Sequence, residues 1–186
     1  VKDAVEDVYS ILKDKLDDQP YAFFGHSMGS LITYELGIRT MDLNHATPVH
    51  VFVSGGVAPH TREKGKVTHN LPLEEFKEEI LKFDGTPKGF FENSDLLNLF
   101  LPVLRSDIKI LEEYEFSNMN EFKRFNCPLT VLCGDKDEHA PMSKIEEWQK
   151  LTNKECRIFS FDGGHFFIHD YEMEIIDMIN NTLIEI

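Results

Sequence analysis

Val1, Val5, Val8, Leu12 and Leu16 recur at helical spacing with charged residues between them. That pattern predicts an amphipathic helix, which Asp17-Asp18-Gln19-Pro20 ends. Tyr21 to Phe24 is a short continuous apolar run closed by Gly25. A run without polar alternation reads as a strand buried on both faces, as in a parallel sheet. From Ser30 to Thr40 the period returns to helical, with Leu31, Tyr34, Glu35 and Ile38 in register. Val49 to Val53 is a β-branched run ended by Ser54-Gly55-Gly56. Later, Leu129 to Cys133 and Arg157 to Phe161 are apolar runs that end at Gly134 and at Asp162-Gly163-Gly164. A last helix is predicted from about Phe167 to Leu183, with Ile175, Ile176, Ile179 and Leu183 on one face.

The stretch from about 57 to 125 has a different texture. It carries helical patterns over Leu73 to Phe83, Asp95 to Leu104 and Ile108 to Tyr114, and no convincing strand. Gly85-Thr86-Pro87 and Leu101-Pro102 punctuate it. Strands alternating with helices imply parallel βαβ units. The whole chain, 1–186, therefore reads as one α/β domain, a mostly parallel sheet flanked by helices, with a helical lid inserted at about 57–125. Such a lid belongs over the C-terminal edge of the sheet, where open α/β sheets bind ligands.

Composition narrows the function classes. Hydrophobic residues make up 41%, enough for a core, and the formal net charge of −14 argues against a nucleic-acid binder, which needs a basic footprint. Three cysteines, Cys127, Cys133 and Cys156, form no CxxC and no zinc spacing, and lie among apolar neighbours. They read as buried thiols in a reducing compartment, so a cytoplasmic protein is expected. No apolar run approaches the roughly 18 residues of a membrane span, and Val1 to Ser10 has no apolar signal-peptide core.

The chemistry starts at Gly25-His26-Ser27-Met28-Gly29, a G-x-S-x-G that follows an apolar strand and opens an amphipathic helix. That context is the one a nucleophile elbow requires. The turn forces Ser27 into a strained conformation, and glycines on either side let backbone approach closely. The Ser27 hydroxyl is then held at a helix N-terminus, where the Met28 N–H can serve as an oxyanion donor. A serine hydroxyl needs an adjacent base. Among eight histidines, His165 sits directly after the last apolar strand, in Asp162-Gly163-Gly164-His165. His169 lies a turn further on, and the His26 side chain should diverge from the serine; His45, His50, His60 and His69 take structural roles. The base needs a carboxylate. Asp137, at the end of Gly134-Asp135-Lys136-Asp137, can reach past its strand toward His165, whereas Asp135 more naturally caps the turn. Three strand ends thus supply Ser27, Asp137 and His165 in the order of the α/β-hydrolases.

These residues resemble the type II (external, editing) thioesterases of nonribosomal peptide and polyketide synthesis. The resemblance covers essentially the whole chain: the elbow, Gly85-Thr86-Pro87, Leu101-Pro102-Val103-Leu104-Arg105-Ser106-Asp107, the Gly134–Asp137 turn, Trp148 and the Phe161–Phe167 segment. It implies an α/β-hydrolase fold and hydrolysis of acyl or aminoacyl groups stalled on the phosphopantetheine arms of carrier proteins, an editing activity in antibiotic biosynthesis. It implies no metal and no cofactor of the enzyme's own, a carrier protein domain as partner, and a monomer without nucleic-acid or membrane partners. Family members begin with further strands that carry a second oxyanion donor. This chain begins at the helix before the elbow strand, so it reads as N-terminally incomplete, with Tyr21 to Phe24 at a sheet edge.

Within the lid, Phe76, Ile80, Phe90, Phe91, Leu96, Leu97, Leu99 and Phe100 divide between packing the lid and lining an acyl channel. The loop His60 to Lys66 is basic within an acidic chain and is a candidate docking patch for an acidic carrier protein. Two other readings stay open: a small-molecule carboxylesterase or lipase-like hydrolase, and an inactive hydrolase fold kept as a binding module.

Overall fold

A computed structural model describes residues 1–82, 85, 88–116 and 123–184. Phe83, Thr86 and Pro87, used above for a helix end and a lid motif, lie outside the described residues. The chain divides into two compact units, Val1–Thr61 with Phe116–Ile186, and Arg62–Glu115.

The larger unit is built on four parallel strands in the order β1 (Ala22–His26), β2 (His50–Ser54), β3 (Leu129–Gly134), β4 (Cys156–Phe161). Helices α1 (Lys2–Leu12), α2 (Met28–Asp42), a short α5 (Met142–Ile145), α6 (Phe167–Asp170) and α7 (Glu172–Ile184) accompany it. The strands are apolar because they lie between layers: every residue of β2 and of β3 is buried. β1, expected to be buried on both faces, is not: as an end strand it is only partly covered and leaves Phe24 exposed, and β4 at the other end leaves Phe159 exposed. The expected last helix is two, divided at Tyr171 into α6 and α7. Phe23, Val51, Val53, Leu129, Val131 and Trp148 share one core, and the Trp148 indole N–H donates to Gly56 O at 2.7 Å.

The smaller unit shows only helical elements among its described residues: α3 (Leu73–Leu81), a 3₁₀ turn over Lys88–Glu92, and α4 (Ser94–Glu112). Two helices were expected where α4 runs unbroken through Pro102. Leu97, Leu101, Leu104 and Ile108 of α4 pack against the Phe76, Ile80 and Phe91 cluster on both sides of the proline. That continuous apolar stripe offsets the hydrogen bond the proline cannot make. Phe76, Ile80 and Phe91 are thus internal to this unit and Phe90 and Leu97 pack against them, while Leu96, Leu99 and Phe100 stay exposed. The unit is also narrower than the expected insertion: Val57 to Thr61, Phe116 and Phe125 belong to the larger one. Phe125 is fully buried in its core and pairs through a bridge with Thr152.

The basic loop is already matched within its own unit. Lys64 pairs with Glu115, Lys66 with Glu79 at 3.0 Å, and Arg62 donates to Leu111 O. Burial pulls the Arg62 guanidinium below its ordinary range. Lys64 and Lys66 nevertheless stay exposed, so these are surface ion pairs of small net worth.

Candidate active site

The end of β1 turns into α2 through Ser27, at φ 55 and ψ −117. That is a conformation of positive φ that side chains disfavour. The turn is so tight that a Cβ added to Gly25 would lie 2.1 Å from Gly29 O and 2.4 Å from Thr33 Oγ1. Gly29 differs: an added Cβ there meets nothing within 4 Å, so close packing explains only the first of the two glycines. Gly25→Ala is therefore expected to cost about 3 kcal/mol or more, because the clash is with backbone. Gly29→Ala should be neutral or stabilising by up to about 1 kcal/mol, the helix preference for alanine. Thermal melting of the two variants checks the contrast.

The other two strand ends are laced to each other. Asp135 N–H donates to Phe161 O at 2.9 Å, Lys136 N–H to Gly163 O at 2.9 Å, and Gly163 N–H to the Asp135 carboxylate at 3.0 Å. Asp135 thus caps the neighbouring loop rather than its own turn. A Cβ on Gly134 would meet the carbonyl oxygens of Gly163 and Gly164 at 2.4 Å, so the two loops touch because Gly134 lacks one.

That lacing places His165 beside Asp137. His165 Nδ1 lies 2.8 Å from Asp137 Oδ2, and His165 Nε2 lies 2.7 Å from Ser27 Oγ. The other Asp137 oxygen accepts the N–H groups of His139 at 2.9 Å and Ala140 at 3.3 Å. Both side chains are closed to solvent, His165 at 6% and Asp137 at 0% exposure. Burial pushes the Asp137 carboxyl up, but the His165 hydrogen bond, the His165 charge and the His139 N–H outweigh it and hold it below the usual range. Asp137 therefore stays ionised, and its charge fixes the His165 proton on Nδ1 and leaves the Nε2 lone pair facing Ser27. Met28 opens α2 directly after Ser27, among the N–H groups a helix leaves without internal partners. The arrangement can take a proton from a serine hydroxyl and give it to a leaving group.

The remaining histidines divide as their surroundings dictate. His45 bridges Asp17 at 2.7 Å and Tyr9 at 2.9 Å, His50 meets Thr130 at 2.8 Å, His60 meets Glu147 at 3.0 Å, and His69 meets Glu112 at 2.5 Å. His169 stacks on Phe166, and the His139 ring stands edge-on to that of His165 at 5.8 Å between centres. His26 turns to Ser54, with Nδ1 2.9 Å from Ser54 Oγ, yet its ring also packs 5.3 Å from that of His165. Sequence reasoning missed Ser54, which it used only to end a strand, and it missed the His26 contact with His165.

A thioesterase domain family model matches residues 2–183. The chain belongs to the thioesterase domain family. Among its curated relatives is linear gramicidin dehydrogenase LgrE of Brevibacillus parabrevis, 36% identical over 169 residues, which are 89% of this chain and 63% of that protein. The family chain thus spans less than two thirds of the length of that relative. Among solved structures it is similar to ClbQ from the colibactin NRPS/PKS pathway, with a TM-score of 0.89 and 30% identity over 98% of this chain and 76% of that one. It is also similar to the type II thioesterase BorB from the borrelidin biosynthetic cluster, with a TM-score of 0.84 and 28% identity over 97% of this chain and 71% of that one.

Proposed function

We propose that Ser27, His165 and Asp137 are the catalytic triad of a serine thioesterase. It clears acyl or aminoacyl groups from the phosphopantetheine arms of carrier proteins in nonribosomal peptide or polyketide synthesis. The observation that carries this reading is the unbroken line from Ser27 Oγ through the His165 ring to Asp137, set at the N-terminus of α2. Membership of the thioesterase family and the likeness to BorB support the substrate class.

In this reading His165 Nε2 takes the Ser27 proton as Oγ attacks the thioester carbonyl carbon. The oxyanion is met by backbone N–H groups, Met28 among them; losing one such donor would cost about 10²–10³ in rate. Collapse breaks the C–S bond, and His165 returns the proton to the departing thiolate. Water, deprotonated by His165, then attacks the acyl-serine. The second collapse frees the acid and restores Ser27. Every proton moves through His165, so the proposed cycle calls on no cofactor. The name of LgrE is that of a dehydrogenase, but this chain has no G-x-G-x-x-G to hold a dinucleotide.

No described helix is long and apolar enough to cross a membrane. All three cysteines are free, which fits the cytoplasmic location we propose. The deciding experiment measures free thiol released from an acyl-phosphopantetheinyl carrier protein. Release by the unmutated chain and none by Ser27→Ala is expected. Turnover of oxygen esters in preference to thioesters would move the reading to a carboxylesterase. Tight carrier binding with no turnover of either would leave a binding module.

A further inference from the structure

We propose that His26 and Ser54 are a positioning pair: the Ser54 hydroxyl fixes the His26 ring, and the His26 ring fixes the orientation of His165. The inference rests on the serine-hydrolase reading above and adds two residues to it.

His26 and Ser54 end adjacent strands and are partners in the β1–β2 register. Ser54 is fully buried and serves the elbow three times over. Its carbonyl accepts the Ser27 N–H at 2.7 Å and the Ser30 hydroxyl at 2.8 Å, and its N–H donates to Ser30 Oγ at 3.1 Å. Its own hydroxyl is left for His26 Nδ1, 2.9 Å away. The His26 ring is held from several sides. His165, Phe166 and Phe167 stand at 5.3, 5.8 and 6.0 Å between ring centres. Gly55 is so near that an added Cβ would lie 2.7 Å from His26 Cε1, and Gly55 has a positive φ of 58. A half-buried ring anchored at one nitrogen and met by three tilted or edge-on rings and by Gly55 is restrained in place, and it restrains what packs on it.

The charge state suits the task. His26 Nε2 is buried and meets no hydrogen-bond partner among the described residues. Whichever of the two side chains donates, the contact between Nδ1 and Ser54 Oγ is one hydrogen bond of 2.9 Å, and it holds the ring at that nitrogen. Burial first, and then the neighbouring charge of His165, bring His26 down to about 4. At neutral pH it sets no second cation beside His165 when that ring becomes imidazolium. A phenyl ring would fill the space without an unpaired nitrogen, but nothing would fix its place. A polar ring with half its hydrogen bonding unmet makes physical sense where orientation matters more than burial.

The test compares His26→Phe, Ser54→Ala and the double variant. Displacement of a reacting group by about 1 Å can cost about 100-fold, so each single variant should lower kcat about 10-fold to 100-fold with KM held within about 2-fold. The double variant should be little worse than either single, because both act through one contact. A structural role alone would not move the second readout: the proton resonance of the Asp137–His165 hydrogen bond and the titration of the His165 ring, both by NMR. In folded His26→Phe that resonance should broaden and the titration shift. If His26→Phe does not fold, His26→Asn keeps a polar partner for Ser54 and removes the ring, and should give the same change. Folded variants with unchanged kcat and unchanged His165 resonances would overturn the proposal. The NMR readout needs no turnover. A chain with no Ser27-dependent hydrolysis but a displaced His165 would therefore sink the hydrolase reading and spare the positioning one.

Discussion

Ser27→Gly is expected to abolish turnover and yet leave a protein more stable than Ser27→Ala. Both variants lack the nucleophile, so both should lose about 10⁴-fold or more in kcat. Their stabilities should part because of the backbone. Ser27 holds φ 55 and ψ −117, close to the first central position of a type II′ turn, where glycine is at home. A Cβ in that region costs on the order of 1–3 kcal/mol. Alanine keeps this strain and loses the hydrogen bond to His165. Glycine loses the same bond but sheds the strain, against an extra entropy cost of about 0.5–1 kcal/mol. The difference is about 1 kcal/mol in favour of glycine, or about 2–4 °C in melting midpoint for a chain of this size. That reverses the ordinary preference for alanine over glycine. Equal or inverted midpoints would mean that the elbow is not strained.

Asp137→Asn should lower kcat by about 10³–10⁴-fold at neutral pH with the fold retained. The asparagine must satisfy the same neighbours with one acceptor and one donor. The two backbone N–H groups of His139 and Ala140 are fixed donors, while the His165 ring can change its tautomer. The amide oxygen should therefore keep the backbone, and the amide nitrogen should face His165 Nδ1. The ring must then carry its proton on Nε2, where it can no longer accept from Ser27 Oγ. The loss falls on chemistry, so KM should change by no more than a few-fold. A variant that kept more than a tenth of wild-type kcat would show that the carboxylate does not set the tautomer.

The sequence alone determined the α/β class, because β2 and β3 are continuous apolar runs that only a layered sheet buries on both faces; β1 reads the same way in the chain, yet Phe24 in it is exposed. It also picked out Ser27, Asp137 and His165, since each follows a strand and chemistry of this kind collects at strand ends. Asp137 over Asp135 was legible from reach, but the bond from Asp135 to Gly163 was not. Local pattern misjudged α4, which reads as two helices parted between Leu104 and Ile108 but runs as one, because both of those residues pack on the same Phe76, Ile80 and Phe91 cluster. Nor could local pattern show which acids face Lys64 and Lys66 of the basic loop, because they lie 51 and 13 residues away.

Only the tertiary structure decided what surrounds the three residues of the proposed triad. Ser54 reads in the chain as a strand terminator, and His26 as a bystander of the serine. The parallel register of β1 and β2 brings them together, and the touching of the β3 and β4 loops at Gly134 sets His165 beside Asp137. Periodicity records which face of an element is buried. It carries no information about which distant residue fills the space opposite, and that is fixed only when the sheet closes its register.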